Sequence, residues 1–207
     1  MCHRISPLLR AELEEALREL KATGRARVPK RSPDTRVPDV YPGRQLPLFV
    51  PGPDGLEIAE LTWGFDGPAG GKQKLVFNTR IETALQQARS GRGLWAVPIT
   101  LGRCLVPVRS FHEHWTADPT QRGKQVRFTL PGHQVFLMAG VYEGERFSVV
   151  TTQPNASMSP VHNRMPLVLA AGESATWLGP DYASLADRSG LVLASSVDEQ
   201  ETRGAPA

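Results

Sequence analysis

A chain of 207 residues, 40% hydrophobic and 22% charged, is long enough for one domain with a sizeable core and has the composition of a soluble globular protein. No apolar run approaches the ~20 residues of a membrane span, and acidic residues stand in MCHRISPLLRAELEE where a secretory signal would be apolar, so a cytoplasmic location is expected, on the nucleoid in a bacterium. The formal charge of +3 is too slight to indicate nucleic acid by itself, and two cysteines, at 2 and 104, make neither a disulfide framework nor a zinc site.

Ser6-Pro7 followed by LLRAELEEALRELKATG predicts the first helix, with Ser6 as its cap and Pro7 in the first helical position. Leu9, Leu13, Ala16, Leu17 and Leu20 fall on one face, and Gly24 is the natural stop. Residues 25–38 are basic, proline-bearing and aperiodic, which predicts a mobile loop. From Leu46 onward LPLFV, EIAELTW, KLVF, RCLVPV, QVRFTL, QVFLMAGVY and RFSVVTT are short β-type runs separated by Gly, Pro or Asp. One helix is expected among them, over residues 79–89, with Ile81, Ala84, Leu85 and Ala88 on its apolar side. ESATWLG and DYASLAD read as short helical turns. The fold class is α+β: a curved, mostly antiparallel, barrel-like sheet with a few flanking helices. One domain is expected over residues 1–195, followed by a disordered tail over 196–207.

The chemistry concentrates at the amino terminus. Once Met1 is trimmed, Cys2 carries an α-amine with a pKa near ~7.7–8.0 beside a thiol near ~8.5. Such a 1,2-aminothiol condenses with an aldehyde to an imine, and its thiol then closes a five-membered thiazolidine. The terminal amine can alternatively serve as base for its own side chain, as in amino-terminal nucleophile hydrolases. From position alone, Cys2 reads first as the second residue of an ordinary chain. Cys104, in RCLVPV, reads as a buried and inert core thiol.

Four other segments place polar residues in unusual settings. Asn78, Arg80 and Glu82 stand at a strand-to-helix junction, where free N–H groups suit phosphate, although Asn78 also suits a plain helix cap. Glu113 follows an apolar strand, flanked by His112, His114 and Trp115, and a carboxyl so placed can have a raised pKa; it also suits a surface turn. The two flanking histidines lack a third ligand at metal-binding spacing, so no metal is expected. His162 and Arg164 precede a new apolar run, as general base and phosphate clamp or as loop residues. Trp63, beside Gly64, is either a stacking platform for a base or a core residue.

Together these segments resemble a family. Met1-Cys2-His3-Arg4, Trp63-Gly64, Asn78-Thr79-Arg80-Ile81-Glu82-Thr83, Arg103 to Pro107 with Phe111 and Glu113, and His162-Asn163-Arg164-Met165-Pro166 stand in the order of the SRAP (SOS response-associated peptidase) family, which includes abasic-site-processing proteins. The resemblance covers about residues 1–195. It implies an enzyme that works without a cofactor, as a monomer, on abasic sites in single-stranded DNA, with Cys2 forming a thiazolidine crosslink to the opened sugar. It further implies that Asn78 sits by the amine and sugar, that Glu113 assists proton transfer during imine formation, and that His162 promotes ring opening. Arg4, Arg80 and Arg164 would contact phosphate, and Trp63 would wall the DNA channel.

The chain departs from the family pattern at several positions. His3 replaces the usual Gly, Asp39 replaces an Asn in the Pro38-to-Gly43 block, Val108-Arg109-Ser110 replaces Ala-Asp-Gly, and His114 replaces an aromatic residue. The family's last strands look shortened after Leu193. An added carboxylate at Asp39 is expected to repel phosphate on a DNA-binding face. A cysteine peptidase acting through Cys2, and a single-strand-binding module whose chemistry has drifted, are the alternative functions.

Overall fold

The computed structural model describes residues 2–28, 37–67, 75–121 and 123–198. Strand β1 (Arg4–Ser6) leads into α1 (Arg10–Thr23). Then come β2 (Gln45–Gly52), β3 (Gly55–Trp63), β4 (Phe65–Asp66), β5 (Leu75–Val76) and β6 (Asn78–Arg80), followed by α2 (Ile81–Ser90) and α3 (Ala96–Leu101). Next are β7 (Arg103–Val108), β8 (Ser110–His114), β9 (Gln125–Thr129), β10 (Phe136–Glu143) and β11 (Arg146–Thr152). The chain ends with β12 (Met165–Pro166), β13 (Val168–Leu169), α4 (Ser174–Leu178), a 3-10 turn at Tyr182–Ala186 and β14 (Ala194–Val197).

The larger sheet closes on itself. Its strands run β12-β11-β3-β2-β7-β10-β13, and β11 also pairs with β10, so β11, β3, β2, β7 and β10 form a ring. The pairings are antiparallel except where β11 runs parallel to β3 and to β6. A second sheet, β1-β8-β9-β14, packs against the ring. The expected α+β architecture with a curved, mostly antiparallel sheet is thus the one observed.

Period-2 alternation divides the core in two, because successive side chains of a strand point to opposite faces. Leu46, Leu48, Cys104, Val106, Val108, Met138, Phe147 and Val149 form one cluster with Cys2, Ile5, Phe111 and Phe128 of the amino-terminal segment and second sheet. Phe49, Leu105, Leu137, Ala139, Val141 and Val150 point the other way, onto Leu13, Ala16 and Leu20 of α1, Ile81 and Ala84 of α2, Ile99 of α3 and Trp177 of α4. Ring strands covered on both faces are almost continuously apolar, hence RCLVPV and FLMAGVY.

Helix α1 begins three residues later than its cap signal suggests. Ser6 lies in β1 and donates its hydroxyl to Asp39 Oδ1 at 2.7 Å. The helix is entered from Leu9, whose N–H donates to the Glu12 carboxylate at 2.8 Å. Gly24 ends it in the left-handed conformation, φ 72°. Most of the loop expected over 25–38 falls at residues 29–36, outside the described residues. So do residues 199–207 of the expected tail, but Ser196 and Val197 belong to β14 on the edge of the second sheet. Among the described residues no helix is long and apolar enough to cross a membrane.

Candidate active site

The five motif segments, up to 160 residues apart in sequence, meet at one end of β1. Cys2 is fully buried in the core cluster. Its carbonyl accepts a hydrogen bond from Asn78 Nδ2 at 2.9 Å, and Asn78 Oδ1 has no hydrogen-bond partner among the described residues. Asn78 is not the cap of α2, whose N-cap is Arg80; it sits in β6, aligned with Val149 of β11.

Trp63 and Gly64 explain how β6 reaches Cys2. Trp63 is completely buried, and its indole N–H donates to the carbonyl of Phe77, the residue before Asn78, at 2.8 Å. Gly64 takes φ 118°, open to glycine, and donates its N–H to Phe147 at 2.7 Å. The tryptophan is therefore a brace behind Asn78. The expectation that it walls a DNA channel or stacks a base does not fit its burial.

Glu113 lies in β8, one position beyond the register that pairs Arg4 with His112. It is fully buried, not in a surface turn. Burial raises its pKa from 4.5 to about 7, opposed by the positive charge of the amino terminus. Burial also pushes the Cys2 thiol well above its ordinary range, and the Glu113 charge adds to that push. His162, 9% exposed, is brought down to about 4, first by burial and then by the amino-terminal charge. Its Nδ1 lies 3.0 Å from the Arg164 main-chain nitrogen and 3.2 Å from the Arg164 carbonyl oxygen, so the main chain of Arg164 fixes the ring.

Arg164 is buried, and its fork grips both oxygens of Glu82 at 2.9 and 2.8 Å while Nη2 also donates to Thr151 O at 2.9 Å. The Glu82 of one motif thus anchors the arginine of another, and that arginine's main chain orients His162. Arg4 is likewise buried. Its Nε donates to Asp39 Oδ2 at 2.6 Å, its Nη1 donates to Gln125 Oε1 at 3.2 Å, and the same nitrogen lies 2.8 Å from Asp198 Oδ2. The two arginines expected to meet phosphate are therefore engaged inside the protein, while Arg80 is exposed. Asp39 does not stand as a loose negative charge, because Arg4 neutralises it.

Two departures from the family pattern prove to be one feature. The His3 and His114 rings stack, centroids 4.0 Å apart and 7° from parallel, beside Cys2 and Glu113 in the chain. Each stands where the pattern has something else, so neither position alone announces the pair. Arg109, in the segment replacing Ala-Asp-Gly, forms a salt bridge with Glu12 of α1. Arg103 donates to carbonyls of Ile99, Thr100, Trp177, Leu178 and Gly179, tying α3 to α4. Cys104 is buried at the foot of β7, its pKa raised by burial beyond any neutral-pH reactivity.

The chain is 26% identical over 175 residues to "Abasic site processing protein YoaM" of Bacillus subtilis (strain 168), covering 79% of this chain and 74% of that one. It is 27% identical over 175 residues to "Abasic site processing protein YoqW" of Bacillus phage SPbeta, covering 79% and 75%. Among solved structures, a Bacteroides thetaiotaomicron protein aligns with a TM-score of 0.66 at 17% identity, over 99% of this chain and 95% of that one. A phage-related protein from Bordetella bronchiseptica aligns with a TM-score of 0.65 at 20% identity, over 96% and 95%. Those two likenesses bear on the fold. The family model described as SOS response associated peptidase (SRAP) matches residues 1–204, and the chain belongs to that family.

Proposed function

We propose that this protein processes abasic sites in single-stranded DNA by capturing them covalently on Cys2 after removal of Met1. The observation that carries the reading is that an amide holds the Cys2 carbonyl, a carboxyl with its pKa raised to about 7 acts on the Cys2 thiol, and that carboxyl and a neutral imidazole both feel the amino-terminal charge. The open-chain abasic sugar presents an aldehyde. The α-amine of Cys2 adds to it, a hydroxyl departs as water with a proton from Glu113, and an imine results. The Cys2 S–H then adds across the C=N bond, sulfur to carbon and proton to nitrogen, closing the thiazolidine. Aldehyde and aminothiol thus give thiazolidine plus one water.

Each residue has a task suited to its setting. A carboxyl near pKa 7 is half protonated at neutral pH, which suits a group that must both give and take a proton. Asn78, with Nδ2 holding the Cys2 carbonyl, keeps Oδ1 available for the freed amine. His162 moves the proton between ring oxygen and anomeric hydroxyl as the sugar opens. Arg80, exposed beside Asn78, meets phosphate.

A thiolate peptidase is the weaker reading. Cysteine attack on an amide needs the thiolate, and burial with Glu113 nearby holds the Cys2 proton on. Imine chemistry starts at the amine and is served by a protonated thiol. The test is incubation with a single-stranded oligonucleotide containing one abasic site, followed by a denaturing gel. A heat-stable shifted band is expected; its absence, with binding retained, favours the drifted single-strand-binding module.

A further inference from the structure

Behind Cys2 lies a buried charged cluster that the chemistry above does not use. Arg4 engages Asp39, Gln125 and Asp198 as described. Asp198, just beyond β14, donates its N–H to the Gln125 carbonyl at 2.8 Å, and its carboxylate, 9% exposed, lies 3.2 Å from His112 Nδ1. His112 Nε2 is 3.3 Å from Ser6 Oγ and 4.0 Å from Asp39 Oδ2. Burial and the Arg4 charge keep His112 neutral, its pKa brought down to about 4. One guanidinium therefore faces two carboxylates, with a neutral imidazole between them and Arg127 of β9 also acting on that imidazole.

The cluster has a mechanical consequence. Strand β1 is three residues long, paired with β8 and joined to the 37–41 segment by a single bridge, Ile5 to Val40. So short a strand has few main-chain bonds to hold its end. Arg4 is two residues from Cys2, and the Arg4 carbonyl is the acceptor facing Cys2 Sγ at 4.0 Å. Whatever fixes Arg4 fixes the backbone that presents the nucleophile. The partners come from the 37–41 segment, from β9 and from the residue that follows β14, so segments far apart in the sequence meet at this arginine.

We infer that Asp198 is a positioning residue for Cys2, and that the C-terminal segment from β14 to Asp198 clamps the amino-terminal strand through Arg4. This rests on the reading of Cys2 as the nucleophile. Misplacing a reacting group by about 1 Å can cost on the order of 10²-fold in rate, so loss of the clamp acts on the chemical step. It leaves DNA affinity alone, because Asp198 carries the wrong charge to hold phosphate. The rival role for Arg4, a phosphate ligand masked by Asp39 and Asp198, makes the opposite forecast: removing Asp198 frees a positive charge and tightens DNA binding.

The experiment uses the full chain bearing Asp198→Ala, Asp198→Asn or Asp198→Glu, each checked for a cooperative melt and assayed well below it. Single-turnover crosslinking over a range of abasic single-strand concentrations gives a maximal rate and a half-saturating concentration. A parallel reaction with acetaldehyde, followed by intact mass as a gain of aldehyde minus water, reports Cys2 without DNA. The clamp predicts that Asp198→Ala lowers the rate at least about tenfold in both reactions, with half-saturation changed by less than about threefold. Asp198→Glu, which keeps the charge, recovers more of the rate than Asp198→Asn. Wild-type rates in Asp198→Ala, or tighter DNA binding with an unchanged acetaldehyde rate, overturn the inference. A wild type that reacts with acetaldehyde but not with DNA overturns only the DNA reading, and the acetaldehyde rates still decide the clamp. A wild type inert to both removes the two together.

Discussion

Glu113→Gln separates the chemical and structural contributions of the buried carboxyl. Glutamine keeps the shape of a protonated glutamate and cannot transfer a proton. The Glu113 pKa lies at about 7 in the folded protein against an ordinary 4.5, and at 1.36 kcal/mol per unit that difference is about 3 kcal/mol. Between pH 4.5 and 7 the folded state keeps a proton that the unfolded chain has released, so stability falls as pH rises through this window. The variant has no such loss. It should match the wild type near pH 4.5 and exceed it by about 3 kcal/mol at pH 8. For a chain of this size, 1 kcal/mol corresponds to roughly 2–4 °C, so its melting-temperature advantage should grow by roughly 6–12 °C across that range. Crosslinking should meanwhile slow by at least about tenfold, the lower side of what a positioned acid–base group contributes. The assay pairs thermal melts at pH 4.5 and 8 with a crosslinking time course. A melting difference independent of pH would show that Glu113 is not held neutral. A wild-type rate would remove it from the chemistry.

Other outcomes follow from the same geometry. Cys2→Ala should abolish the heat-stable crosslink yet leave an imine trappable by borohydride, because the amine survives, whereas Cys104→Ala should crosslink normally on a denaturing gel. Arg80→Ala should reduce the slope of log affinity against log salt by roughly 0.7, one phosphate's worth on a single strand; fluorescence anisotropy on a tetrahydrofuran abasic analogue reads this, and an unchanged slope refutes the contact. His162, with a folded pKa of about 4 below the ordinary 6.5, stays neutral while the unfolded chain gains a proton, so it costs stability as pH falls from 6.5 to 4. Differential scanning calorimetry should show His162→Gln losing less of its melting temperature than the wild type across that window, and its crosslinking should be at least about tenfold slower.

What the sequence discloses, and what it hides, can be traced to particular residues. The ring strands are legible because both their faces are buried: RCLVPV and QVFLMAGVY are apolar enough to be seen without knowing their partners. β8 was hidden, since Ser110, His112 and Glu113 are polar types whose burial depends on pairing with β1 and β9. β14, exposed along its length, carries no apolar alternation and is held by β9 and by Asp198. Ser6-Pro7 is a sound helix start in isolation, and the pairing of β1 with β8 overrode it. Helix α3, AVPITL, contains a proline and β-branched residues that mask a helix in a local reading. At the site, residue types were readable and engagements were not. Arg4 and Arg164 look like phosphate ligands until their carboxylates appear, 35 and 82 positions away. Motif order singled out Cys2, Asn78, Glu113 and His162 together, whereas the hydrogen bonds from Trp63 to Phe77 and from Arg164 to Glu82 are visible only in the fold.

The most direct measurement is to locate the bond. Wild-type protein reacted with an abasic single strand, treated with nuclease and trypsin, yields an amino-terminal peptide Cys2-His3-Arg4. This peptide should begin at Cys2, carry the sugar remnant less one water, and have no free thiol. A remnant on a lysine, on Cys104, or on a peptide still bearing Met1 would contradict it.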